Sequence, residues 1–170
     1  CIRDSICTDH GGQDFQWSSK TEERTSLWAM RHKAYYAVLA SRPGSTAVIT
    51  DICVPISKLG QAVAETREDI SQSSIQGPIF GHVGDGNFHA ILLIDPNSEK
   101  EKAEAMRIGD KMAMRALSFG GTCSGEHGVG MGKLKFMEAQ HGVGWDVMGQ
   151  IKRQLDPLNI LNPGKLVRQN

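Results

Sequence analysis

Apolar residues recur along the chain in two rhythms, and the alternation between them sets out the elements. From Thr21 the rhythm is helical: Leu27, Met30, Ala34 and Val38 fall on one face, Thr21 suits a cap, and Glu22 and Glu23 suit the positive N-terminal end. Arg42-Pro43-Gly44-Ser45 stops that helix. Ala47 to Pro55 is rich in β-branched residues and reads as a strand interrupted by Asp51. Ser57 then predicts the cap of a second helix whose stripe is Leu59, Val63, Thr66 and Ile70. After Gly77-Pro78, the apolar runs Pro78-Ile79-Phe80 and Ala90 to Ile94 flank a glycine-rich turn. Ser98 and Glu101 form a capping-box pattern opening a third helix, which runs to about Phe119 and would bury Ala103, Met106, Ala113 and Leu117 before Gly120-Gly121 ends it.

This order is strand, helix, strand, strand, helix. It predicts an α+β domain of the split βαβ, ferredoxin-like kind, an antiparallel sheet with helices on one face. The fourth strand should follow the third helix, but Thr122-Cys123-Ser124 is short for one. The remainder reads as a C-terminal helical segment with Val147, Ile151 and Leu155 on one stripe, ending in Asp156-Pro157 and the turn Asn162-Pro163-Gly164. Residues 1–20 are polar and weakly patterned, with a loop at Asp9-His10-Gly11-Gly12; they read as a lead-in to a domain covering 21–170. The opening Cys and the character of this lead-in suggest a fragment or a truncated gene product.

Composition narrows the partners. Among 170 residues, nineteen basic and nineteen acidic side chains cancel, so no net field recruits nucleic acid or an anionic membrane. The longest apolar run, Ala90 to Ile94, is far short of the roughly 20 residues that span a bilayer. The four cysteines (Cys1, Cys7, Cys53, Cys123) have no CxxC spacing and read as ordinary thiols of a reducing compartment.

Chemistry concentrates in two glycine-rich stretches. In Gly81-His82-Val83-Gly84-Asp85-Gly86-Asn87-Phe88-His89, Asp-Gly predicts a two-residue type I′ turn that would pair Gly84 with Asn87, Val83 with Phe88 and His82 with His89. Two imidazoles opposed in that way, Cβ atoms roughly 4.5–5.5 Å apart, are half a metal site or else two polar residues on a wet face. The second stretch is Gly125-Glu126-His127-Gly128-Val129-Gly130-Met131-Gly132-Lys133. It is not a P-loop, because His127 stands where the first glycine is required and Leu134 where Ser or Thr is required; nor is it a dinucleotide fingerprint, because a long helix precedes it. With His82 and His89, Glu126 completes a candidate His₂Glu ligand set with open positions, and His127 beside it could take a proton; alternatively Glu126 only caps or forms a salt bridge. Trp28, Arg31 and Tyr35 share a helix face, placing an arginine between two aromatics, where its stem could simply pack on the rings.

The segments GHVGDGNFH, GTCSGEHGVGMGK and LDPLNILNPGK, in this order and spacing, resemble the C-terminal half of the FAD-linked 2-hydroxy-acid dehydrogenases of the vanillyl-alcohol-oxidase superfamily. MRHKAYYAVLASRPGS followed by TDICVPISKL is most similar to the branch that oxidises D-lactate with a cytochrome acceptor, and the likeness runs from about Phe15 to Val167. The resemblance implies a substrate or cap domain, with FAD bound mainly by an N-terminal domain outside this sequence. It implies a divalent metal, zinc or manganese, on His82, His89 and Glu126, and His127 as general base. It implies Arg31, with Tyr35 and Asn87, on the substrate, and Asn162 and Gly164 against the flavin. Electrons would leave to cytochrome c or an electron-transfer flavoprotein. Its settings are a bacterial cytoplasm, with peripheral membrane association open for the full-length enzyme, or a mitochondrion. Relatives acting on 2-hydroxyglutarate carry a polar residue two positions after the second histidine and a lysine shortly before the Thr-Asp pair; here Ile91 and Val48-Ile49 stand there, which favours a small or apolar-tailed monocarboxylate. Without a pyrophosphate site, these 170 residues alone are expected to show no turnover. A metal-dependent hydrolase using the same His₂Glu set, and an orphan domain that keeps the scaffold without the activity, are the competing readings.

Overall fold

The computed structural model describes residues 2–14 and 16–168, with the backbone alone at Ile2 and Arg3; Cys1 and Phe15 lie outside the described residues. The chain divides into two compact units, Cys1–Ala40 and Ser41–Asn170. The first holds α1 (Ile2–Asp9), a short helix where the weak pattern announces none, and α2 (Thr21–Ala40). Thr21 is the first helical residue rather than the cap. On the predicted stripe only Val38 is buried, and Met30 is exposed.

The second unit is built around one strand. β4 (Asn87–Ile94) is buried along its whole length. β1 (Thr46–Ile49) and β2 (Ile52–Cys53) lie on one side of it and β3 (Ile79–His82) on the other, all antiparallel. β1 and β2 keep one register, with Ile49 opposite Ile91 and Ile52 opposite Phe88, so the interrupted strand expected from the sequence is a single line with a gap at Thr50-Asp51. In the gap Thr50 still donates its N–H to Ala90, and its hydroxyl accepts from the Ala90 N–H. The missing fourth strand is reduced to one bridge, Cys53 with Thr122. The α+β class is as expected.

Phe88, Ala90, Leu92 and Ile94 form one face of β4 and enter the core. There they meet Leu59 and Ala62 of α3 (Ile56–Ser71) and Ala105, Ile108, Met112, Ala113 and Ala116 of α4 (Glu99–Ser118). The other face of the strand, beginning Asn87 and His89, is left for chemistry. Two local expectations need correction. The cap of α3 is Pro55, with no side-chain bond, and Ser57 sits in the first turn. On α4, Ser98 accepts the Glu101 N–H as foreseen and Ala113 is buried as expected, but Ala103 and Met106 face out, and the other buried residues are Ala105, Ile108, Met112 and Ala116. Apolar residues occupy more than one face of this helix, and the β-branched Ile108 with Met112 wins the core.

C-terminal to the glycine-rich loop come α5 (Leu134–His141) and α6 (Val143–Leu155). On α6, Trp145 and Gly149 are buried, whereas the predicted stripe of Val147, Ile151 and Leu155 is exposed among the described residues. The tail then folds back: Trp145 Nε1 donates to the Leu166 carbonyl at 2.8 Å, and the Leu166 N–H donates to Gly130 at 3.0 Å.

The β3–β4 turn differs from the sequence expectation in register. His82 pairs with Asn87, Gly81 with Phe88 and Phe80 with His89, so four residues, 83–86, make the turn. Gly86 alone of Asp85-Gly86 has positive φ (+76°), so the turn is not type I′. The reason is the residue just past β2: Val54 donates to the Gly86 carbonyl at 2.9 Å, and a Cβ on Gly86 would stand 2.0 Å from the Val54 carbonyl oxygen. Gly86→Ala in the full-length protein is therefore expected to cost about 2–3 kcal/mol in urea unfolding, and Gly84→Ala, where a Cβ meets open space, almost nothing. Equal midpoints for the two variants would count against this contact.

Candidate metal and substrate site

The register differs from the expected one by two residues, and side chains alternate with a period of two, so His82 and His89 still share a face, now as diagonal neighbours. Their ring centroids are 6.5 Å apart and nearly perpendicular. The loop after Thr122 brings Glu126 and His127 over this face. Glu126 Oε1 lies 2.9 Å from His89 Nε2, 3.9 Å from His82 Nε2 and 4.0 Å from His127 Nε2. The His127 ring stacks on His89 at 5.0 Å between centroids, 16° from parallel. His89 is almost buried, while His82, Glu126 and His127 are about half exposed, so the cluster is closed behind and open in front.

Among the described residues, two triads bring ligand atoms within 4.8 Å of one another: His82, His89 and Glu126, and Asp51, His89 and His127. Hydrogen bonds separate them. His89 Nδ1 lies 3.0 Å from the Thr50 carbonyl, which can only accept, so Nδ1 carries the hydrogen and donates. That leaves Nε2 facing Glu126 Oε1, two electron-rich atoms that need a cation between them, a proton or a metal ion. A ligand histidine anchored through its other nitrogen to a carbonyl is the usual outer-shell arrangement of metal sites. The Asp51 carboxylate, by contrast, is already occupied by Ser124, the backbone N–H groups of Gly125, Glu126 and His127, the Asn87 amide and Lys133. The first triad therefore fits a divalent metal and the second does not.

Asn87 adds a polar atom of opposite need. Its Nδ2 donates to Asp51 Oδ1 and to the Ile52 carbonyl, both at 2.9 Å. Both partners are acceptors, which fixes which way the amide is turned, and its Oδ1 is buried with no hydrogen-bond partner among the described residues. A cavity of about 250 Å³ lined by Cys53, His82, Asp85, Asn87, Gly125 and Glu126 opens here. It has room for a small ligand only. Beside His89 the same face continues as Ile91, opposite Ile49, an apolar wall.

The other sequence-predicted residues are placed as follows. Arg31 and Tyr35 belong to the first unit, exposed on α2, with Tyr35 edge-on to Tyr36 at 5.5 Å. Asn162 and Gly164 lie in the C-terminal turn, both at positive φ. Asn162 borders an apolar groove of about 790 Å³ with Val129, Met148, Ile151, Leu161 and Lys165. Sequence reasoning missed Asp51, Thr50 and Lys133. The available signal was a charged residue inside an apolar strand, which must be partnered when buried. Burial alone would raise the Asp51 carboxyl, but the His127 N–H, the Asn87 amide, the Lys133 charge and the Ser124 hydroxyl outweigh it and hold the group far below the usual carboxylate range.

The sequence as a whole matches the family described as FAD linked oxidases, C-terminal domain, over residues 3–166. This chain belongs to that family. Among curated relatives, a Danio rerio protein named Probable D-lactate dehydrogenase, mitochondrial, is 46% identical over 98% of this chain and 34% of its own length. The D-lactate dehydrogenase [cytochrome], mitochondrial, of Arabidopsis thaliana is 42% identical over 98% of this chain and 30% of its own. A Saccharomyces cerevisiae protein, D-lactate dehydrogenase [cytochrome] 1, mitochondrial, is 37% identical over 91% and 27%. The chain thus spans about a third of the length of the relatives it matches. The histidine and glutamate cluster described above lies inside the FAD-linked oxidase domain.

Proposed function

We propose that this chain forms the C-terminal substrate- and metal-binding part of an FAD-dependent dehydrogenase that oxidises D-lactate, or a related D-2-hydroxy monocarboxylate, to the 2-oxo acid. The observation that carries the reading is the anchored His89, whose Nε2 faces Glu126 across 2.9 Å with His82 and His127 beside it. His82, His89 and Glu126 would hold zinc or manganese, which when bound makes a coordinated substrate hydroxyl more acidic. FAD, bound chiefly by other parts of the protein, supplies the hydride acceptor. His127 Nε2 receives the hydroxyl proton, from a position next to the ligand set and open to solvent. Asn87, in the wall of the pocket, helps to hold the substrate. Arg31, with Tyr35 beside it, takes the substrate carboxylate, for which a planar guanidinium is suited. The Ile49 and Ile91 wall accepts a methyl-sized tail and offers nothing to a second carboxylate. Asn162, which borders the apolar groove, and Gly164 in the same turn meet the flavin.

The names of the relatives support D-lactate as substrate, a cytochrome as electron acceptor and a mitochondrial location; an electron-transfer flavoprotein is the other acceptor class. The full-length protein is expected to purify yellow, to carry stoichiometric zinc or manganese, and to reduce a redox dye with D-lactate. A colourless protein that hydrolyses esters or amides when loaded with metal would replace this reading with the hydrolase one.

A further inference from the structure

Asp51 touches neither substrate nor metal in the reading above, yet more of the site hangs on it than on any ligand. Its side chain is 1% exposed. Its two oxygens accept from the Ser124 hydroxyl at 2.9 Å, the Gly125 N–H at 2.9 Å, the Glu126 N–H at 3.1 Å and the His127 N–H at 2.9 Å. On the opposite side they accept from Asn87 Nδ2 at 2.9 Å and Lys133 Nζ at 3.3 Å, and the same Nζ donates to the Asp51 carbonyl at 2.7 Å. Three successive backbone N–H groups wrapped around an anion form a nest, here filled from within the chain. Gly125 is required for the wrap, because a Cβ there would lie 1.9 Å from Asn87 Nδ2 and 2.8 Å from Asp51 Oδ1. The carboxylate thereby fixes the main chain from which Glu126 and His127 project, and sets which way the Asn87 amide is turned.

We propose that Asp51 is a positioning residue, whose buried carboxylate presets the Ser124–His127 backbone and the Asn87 amide so that Glu126 and His127 are in working position before metal or substrate arrives. The inference rests on the metal reading of His82, His89 and Glu126.

The test uses the full-length protein and its Asp51→Asn variant, in which an amide places a donor among donors. Zinc affinity is measured by chelator competition, and amide hydrogen exchange at Gly125, Glu126 and His127 is followed in the metal-free protein. Asp51→Asn is expected to lower zinc affinity about 10–100-fold and to speed exchange at those amides. Asp69→Asn removes a carboxylate of similar burial between α3 and α4, away from this face, and is expected to leave zinc affinity within about twofold of wild type despite its own loss of stability. Zinc affinity unchanged in Asp51→Asn, or lowered as far in Asp69→Asn, overturns the proposal and leaves Asp51 a structural residue. Should Asp51→Asn fail to fold, Ser124→Ala removes a single donor and decides the matter: a severalfold loss of zinc affinity supports the proposal and none overturns it. A wild-type protein that binds no zinc and no manganese fells the metal reading instead, and exchange at the three amides then decides whether Asp51 holds the loop.

Discussion

His127→Ala in the full-length protein is expected to lower kcat/KM for D-lactate by about 10²–10⁴-fold, the usual worth of a positioned general base. Metal content and flavin colour should stay at wild-type levels, because His127 is outside the triad of His82, His89 and Glu126. Its half-exposed ring packs on one side against His89, so the fold should lose little. Added imidazole should restore part of the rate by entering the space the ring leaves. His89→Ala separates the two roles: it removes the anchored ligand and should lose metal together with activity. Turnover of His127→Ala within a fewfold of wild type would remove the residue from the reaction and send the search for the base elsewhere in the pocket.

The largest expected effect on stability lies behind the site. Arg115 on α4 is 8% exposed and pairs with Asp69 of α3, 5% exposed, at 2.5 Å; it also donates to Glu65 at 2.7 Å and to the Thr66 hydroxyl at 3.1 Å. Lys111 completes the Asp69 shell from a more exposed position. Arg115→Met keeps the stem and strands the carboxylate, for an expected cost of about 3 kcal/mol in urea unfolding; adding Asp69→Leu should recover most of it, since a buried pair replaced whole is tolerated better than one broken. A double variant no more stable than the single one would contradict that account. Burial works to raise the Asp69 carboxyl, but its bonds to Lys111 and Arg115 prevail and hold it below the unfolded value of 3.8. A depressed carboxylate contributes its stability above that unfolded value and loses it as pH falls through the folded one. The gap between wild type and Arg115→Met should therefore be full near neutrality and shrink as the pH drops below about 3.8.

What could be read from sequence follows which physical signal was local. The histidines and Glu126 sit in glycine-rich stretches whose composition announces a backbone bent around side chains, so the candidate cluster was legible. The register of the hairpin was not, because Val54, some thirty residues back and just past β2, captures Gly86; the face survived because side-chain alternation is indifferent to a shift of two. The α4 stripe was misread because alanine and methionine fill competing faces, and the α6 stripe because its apolar residues stay uncovered among the described residues. Asp51 was read as a break in a strand. Its partners lie in segments far along the chain, which no window of sequence can bring together.

Those separations carry a kinetic consequence. The β3–β4 hairpin closes a four-residue loop, while Asp51 reaches Asn87 across 36 residues, the Ser124–His127 loop across 73 to 76, and Lys133 across 82. Closing long loops costs entropy before any contact rewards it, so short-range pairing forms first. The hairpin that carries His82 and His89 thus exists early as an unfinished wall, and the carboxylate that gathers the remaining groups is among the last contacts made. Alterations at Asp51 should then appear in the unfolding rate while leaving the folding rate nearly untouched. In refolding, competence to hold a ligand should lag behind recovery of the fold.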